Sequence, residues 1–198
     1  MKYMNPFRLI TKSAARSLIA GGLFLSACTA PTKEKEPLNG ASKSWEQAFN
    51  AKLPMLGHRN WILIVDKAFP EQNAAGMEYI YANEDLNAVL KQVLAQINLS
   101  GHVKPIVYRD KELGFITEQQ AKGLTQFKTS IETTLGNLPV QTMLHDSVFK
   151  KLDTESKLFK VLVIKTNEVI PYTSVFLQLD CAYWNKVKED TLRNRMKN

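Results

Sequence analysis

Apolar residues follow two rhythms along the chain: short unbroken runs, and residues recurring every three or four positions. "WILIVD" (Trp61 to Asp66) is an unbroken run of strand length, the pattern of a strand covered on both faces. "MEYIYA" from Met77, "VKPIVY" from Val103, "VQTML" from Val140, "KVLVIKT" from Lys160 and "YTSVFLQLDCAYW" from Tyr172 also read as strands. Pro105 lacks an N–H and so places its strand near an edge, or itself near the strand's start. Helical spacing falls between these runs. Trp45, Ala48, Phe49 and Leu53 follow an N-cap at Ser44 and stop at Pro54. Leu86, Val89, Leu90, Val93, Leu94 and Ile97 form one apolar face of a helix expected to be capped by Asn83. "TEQQAKGLTQFKTSIETTL" from Thr117 reads as mostly helical, and "HDSVFKKL" from His145 as one or two amphipathic turns. Strands alternating with helices predict an α/β class: a single three-layer α/β/α domain with a Rossmann-like layered sheet.

The ends have a different character. Residues 1–27 carry Lys2, Arg8, Lys12 and Arg16 with no acid, then the short apolar stretch "SLIAGGLFLSA". That is the layout of a signal peptide, too short for a comfortable spanning helix. "LSAC" (Leu25 to Cys28) resembles the lipobox of bacterial lipoproteins, in which the cysteine becomes the first residue and carries lipid. Residues 28–43, rich in proline, small residues and mixed charge, read as the lipidated Cys28 and a flexible tether. The expectation is an extracytoplasmic, membrane-anchored bacterial lipoprotein, on the periplasmic or outer-membrane side. Its domain spans residues 44–198.

Charge changes meaning once the leader is set apart. The net charge is +7, and four of those charges lie in residues 1–27, leaving +3. With no basic stripe left, nucleic acid is not an expected partner. With Cys28 lipidated, Cys181 stands alone, which excludes a disulfide framework and points to a small core residue. Neither G-x-G-x-x-G nor a P-loop occurs, so a nucleotide cofactor has no sequence support. His58, His102 and His145 fit no familiar ligand spacing, and neither metal nor cofactor is expected.

In a layered sheet, ligands collect beyond strand ends. His58 precedes the first strand and Asp66 ends it; His145, Asp146 and Lys150 follow a short strand; Tyr172 and Ser174 open the last one. Each group has a plainer role open to it. Such a histidine often caps backbone groups, an aspartate forms turns, lysines solvate a helix face, and a tyrosine after proline packs. Ser174 lacks the glycine-flanked elbow of a hydrolase nucleophile.

"LGHRNWILIVDKAFP" (Leu56 to Pro70) resembles the early motif of the D-ribose pyranase / L-fucose mutarotase (RbsD/FucU) family: leucine-glycine-histidine-x-aspartate, an apolar strand, then aspartate and, four residues on, proline. "HDSVFKKL" is similar to the ribose branch's histidine-acidic-x-phenylalanine-lysine, and "IPYTSVFLQLDCAYW" to proline-tyrosine-x-asparagine with the closing strand. The resemblance covers both ends of the domain and is weak between Pro70 and Val140.

That resemblance implies an RbsD-like fold and a monosaccharide site, with His58 as the acid/base residue. It implies that Asp66, His145, Lys150, Tyr172 and Ser174 bind substrate, and that Asn60 orients His58. Asn60 stands where the family has an aspartate, Ser174 where it has an asparagine, and Lys67 where it has a small residue; His145 matches only if one extra residue precedes Phe149. The implied reaction is mutarotase/pyranase-like: interconversion of sugar anomers or ring forms by general acid–base catalysis, without a cofactor. An imidazole suits it, since it titrates at roughly 6.5 in model peptides. A noncatalytic carbohydrate-binding lipoprotein using the same pocket is the alternative. The family also implies a homo-oligomer with pockets shared between neighbouring chains.

Overall fold

The computed structural model describes residues 44–197. The expected signal peptide, the lipid site at Cys28 and the tether lie outside the described residues. Within them the chain runs α1 (Trp45–Lys52), β1 (Trp61–Val65), β2 (Met77–Tyr81), α2 (Leu86–Ser100), β3 (Val103–Asp110), α3 (Leu124–Leu135), β4 (Val140–Met143), α4 (His145–Glu155), β5 (Val161–Lys165), β6 (Val175–Cys181) and α5 (Lys186–Arg195). The six strands form one sheet in the order β2–β5–β1–β6–β3–β4. Every pairing is parallel except those of β6, which runs antiparallel to both β1 and β3.

Alternation along the strands divides the core in two. Ile62 and Ile64 of β1, Leu162 and Ile164 of β5, and Val175, Leu177 and Leu179 of β6 face α1, α2 and α3. Trp61, Leu63 and Val65, with Val161, Val163 and Phe176, face α4 through Val148 and Leu152. All five residues of β1 are buried, because helices cover both sides of it. The expected α/β/α layering is therefore observed. Each fully buried Ile, Leu or Val contributes about 1.5–3 kcal/mol relative to exposure, so this two-sided sheet is the main source of stability.

Several boundaries move. The N-cap of α2 is Asp85, whose carboxylate accepts from Ala88 N, while Asn83 sits in the left-handed region at φ 53°. The helix expected from Thr117 starts only at Leu124: Gly123 at φ 90° breaks it, and the Glu118 carboxylate accepts from the N–H groups of Gly123 and Thr125. Pro105 lies early in β3, and pairing with β4 begins only at Val107, so its missing N–H leaves no gap in that ladder. The last strand stops at Cys181, and the chain turns into α5, which buries none of its side chains. Among the described residues no helix is long and apolar enough to cross a membrane.

Candidate functional site

The reversed direction of β6 decides where the polar groups gather. Its first residues lie with the carboxyl ends of β1 and β3, and its last with their amino ends. Tyr172 and Ser174 thus meet Asp66, Asp110 and His145 at one edge of the sheet, whereas Asp180 meets His58 at the other.

At the first edge a cleft of about 590 Å³ opens between the Asp66–Pro70 loop, the start of α4 and the segment before β6. Asp66, Phe69, His145, Phe149 and Tyr172 line it. The Asp66 carboxylate is fixed at both oxygens: one accepts from Ala68 N at 2.9 Å and the other from the Ser174 hydroxyl at 3.0 Å. Ser174 Oγ in turn accepts from Asp66 N at 3.3 Å. The loop is anchored from β5 and the segment after it, since Lys165 donates to the Phe69 carbonyl and Lys67 N donates to that of Glu168.

His145 opens α4, and its backbone N–H donates to the Glu112 carboxylate, which suits a helix N-terminus. Its ring is edge-on to both Tyr172, at 5.2 Å between centroids, and Phe149, at 4.8 Å. Its Nδ1 lies 3.1 Å from Oδ1 of Asp110, whose side chain is fully buried. The contact has ion-pair distance without hydrogen-bond alignment, and neither carboxylate oxygen finds an aligned donor in the protein. Burial pushes the Asp110 carboxyl up to about 6, partly opposed by His145. Tyr172 is held at φ 59°, an uncommon conformation for a large side chain that costs of order 1 kcal/mol or more and turns the ring toward His145.

At the opposite edge His58 Nδ1 lies 3.0 Å from Asp180 Oδ1. Oδ1 also accepts from Cys181 N at 2.8 Å, and Oδ2 lies 3.3 Å from Lys104 Nζ. Burial raises the Asp180 carboxyl, but these donors outweigh it and hold it below the usual carboxylate range. His58 opens onto a second groove, of about 700 Å³, walled by Asp180, Tyr183, Trp184, Lys186 and Glu189.

The RbsD / FucU transport protein family model matches residues 43–181. This chain belongs to that family. Among solved structures it is similar to Bacillus subtilis RbsD complexed with D-ribose, at 19% identity and a TM-score of 0.48 over 74% of this chain and 96% of that one. It is similar to FucU from Bifidobacterium longum at 15% identity and a TM-score of 0.45, over 66% of this chain and 91% of that one. It is also similar to the Streptococcus pneumoniae fucose mutarotase in complex with L-fucose, at 14% identity and a TM-score of 0.44, over 65% and 87% of the two chains. No curated protein sequence matches it.

Of the residues that the RbsD/FucU motifs single out, the cleft gathers Asp66, His145 and Tyr172. Ser174 is fully buried behind them and engages Asp66. Lys150 is exposed and outside the cleft lining, because Val148 and Leu152 turn that face of α4 away from the sheet. His58 lies at the far end of β1, roughly 16 Å of strand from Asp66. The Asn60 side chain hydrogen-bonds elsewhere than His58: its Oδ1 accepts from Gly57 N at 2.7 Å and its Nδ2 donates to the Lys160 carbonyl at 3.4 Å. Asp110, Phe149 and Asp180 also stand at these two places without being among the site residues expected from the sequence. Two of them carried a signal: Asp110 ends an apolar strand just as Asp66 does, and Asp180 is the lone charge in the closing strand. His102 lies at the His58 end of the sheet, its ring near the carbonyls of Leu56 and Ser100, whereas His145 lines the cleft. Among the described residues no three His, Cys, Asp or Glu side chains gather as a metal site.

Proposed function

We propose that this protein binds a monosaccharide and interconverts its anomers or ring forms, as a mutarotase/pyranase-like isomerase. The observation that carries the reading is the convergence of a fixed carboxylate, an imidazole and a phenol, Asp66, His145 and Tyr172, on one cleft in a member of the RbsD/FucU family. A sugar offers this set what it needs: hydroxyls that donate to Asp66 and others that accept from Tyr172 and His145.

In the reaction His58 removes the anomeric hydroxyl proton while a second pocket acid or a bound water gives a proton to the ring oxygen, and that donor is restored on reclosure. The C1–O5 bond breaks, leaving a carbonyl and a free hydroxyl. Reclosure on the other face, or through another hydroxyl, returns both protons, so no redox partner or covalent intermediate is involved. General acid–base help of this kind contributes about 10²–10⁴-fold. Because His58 and the cleft lie at opposite ends of β1, the complete pocket pairs the cleft of one copy with His58 of a neighbour, in a homo-oligomer.

Saturation-transfer NMR on ribose, fucose and galactose tests the activity. Anomer exchange faster than with a His58→Ala variant is expected for at least one sugar. Equal rates for the two proteins, with sugar bound, would make the protein a carbohydrate-binding lipoprotein instead. We further propose that lipid on Cys28 anchors the domain on the extracytoplasmic face of a bacterial membrane. Labelled palmitate should enter the wild-type chain and not Cys28→Ala; equal labelling would refute the anchor.

A further inference from the structure

Asn60 stands two residues after His58, where the family motif carries an aspartate, yet its side chain closes the turn: it bonds Gly57 N and the Lys160 carbonyl and leaves the imidazole alone. A carboxylate is nevertheless beside His58. It comes from the last strand, some 120 residues away in sequence. Two backbone hydrogen bonds clamp the His58 turn to β6, Arg59 N to the Leu179 carbonyl and Leu179 N to the Asn60 carbonyl, both at 2.8 Å. Arg59 takes φ 75° in the same turn. With the backbones locked, position 180 faces position 58. Asp180 is itself held on two sides, by Cys181 N on Oδ1 and Lys104 Nζ on Oδ2.

The geometry points to Asp180 as the positioning carboxylate of His58, accepting from Nδ1–H so that Nε2 faces the second groove with its lone pair available. This rests on His58 acting on a sugar as proposed above. The consequence is chemical more than energetic. The His58 side chain is 61% exposed, and pairs of that kind add little stability. What the pair selects is the tautomer. An unconstrained imidazole favours the proton on Nε2, which would turn N–H toward the guest and leave no base there. Of the other charged groups around the groove, Lys186 pairs with Asp190 and Glu189 with Arg193 and Trp184, so Asp180 is the carboxylate that meets the ring.

The test is ¹⁵N NMR of the histidine ring nitrogens in the full folded domain, at a pH where the imidazoles are neutral, with His58→Ala used to assign the signals. The wild-type protein is expected to show His58 mainly protonated on Nδ1. Asp180→Ala should move it to the Nε2–H form and slow anomer exchange roughly tenfold or more. Unchanged His102 and His145 signals in the same spectra report an intact fold. Asn60→Ala should leave the tautomer where it was. A wild-type tautomer retained in Asp180→Ala, or lost in Asn60→Ala, would overturn the assignment. A tautomer shift in a protein that never accelerates anomer exchange would uphold the role of Asp180 and remove the mutarotase reading, so the two failures are separable.

Discussion

Asp110 lies outside the cleft lining but meets one of its residues, His145. Its carboxyl is buried beneath His145 without an aligned donor, and burial raises it to about 6 against an ordinary 3.8. A raised acid binds its proton more tightly folded than unfolded. Its contribution is therefore fully present below pH 4 and is lost as pH rises through 6. Asp110→Asn removes the charge that burial penalises. Thermal unfolding should show the variant more stable than wild type at pH 8, by about 1–3 kcal/mol, with the gap closing toward pH 4. A constant gap across that range would show that Asp110 is not the titrating group. The sequence signals this residue only by its place after an apolar strand, and an aspartate there more often marks a turn. His58, Asp66 and Tyr172 were legible because they sit in spaced motifs. What those motifs could not show is which side chain each residue meets. The partner of Ser174 is Asp66 and that of His58 is Asp180, both fixed by strand pairing between distant segments.

Buried apolar surface makes most elements legible, with β4 the exception, a readable strand whose four residues are mostly exposed. β1 and α2 bury long apolar stretches, and their periodicity announced them. α5 buries nothing, so no stripe marked it, and the closing run read as a longer strand than the seven residues that pair. The start of α3 was hidden by Gly123, whose left-handed backbone no spacing rule reports. The loop before β2 depends on a different glycine. A Cβ on Gly76 would lie 2.1 Å from the Ser156 carbonyl oxygen and 2.6 Å from that of Phe159, so the chain passes the end of α4 with no room for a side chain. Gly76→Ala should lower stability by about 1–3 kcal/mol in urea unfolding, because backbone has to shift. It should also loosen the pairing of Met77 with Val161. Wild-type unfolding of the variant would contradict a backbone approach that excludes a side chain at Gly76.

At the scale of the whole molecule the antiparallel β6 is the governing feature. It delivers Tyr172 to one end of the sheet and Asp180 to the other, and the proposed shared pocket rests on that separation. A half-site with binding groups but no His58, and a half-site with His58 but no Asp66, make sense together if neighbouring copies join them. The most direct measurement is complementation. His58→Ala and Tyr172→Phe chains, each impaired alone, are unfolded together, refolded as an equal mixture and assayed for anomer exchange. If each pocket draws His58 and Tyr172 from different copies, random assembly restores about a quarter of the pockets and roughly a quarter of the wild-type rate. A mixture no faster than the average of its two components would contradict the shared pocket.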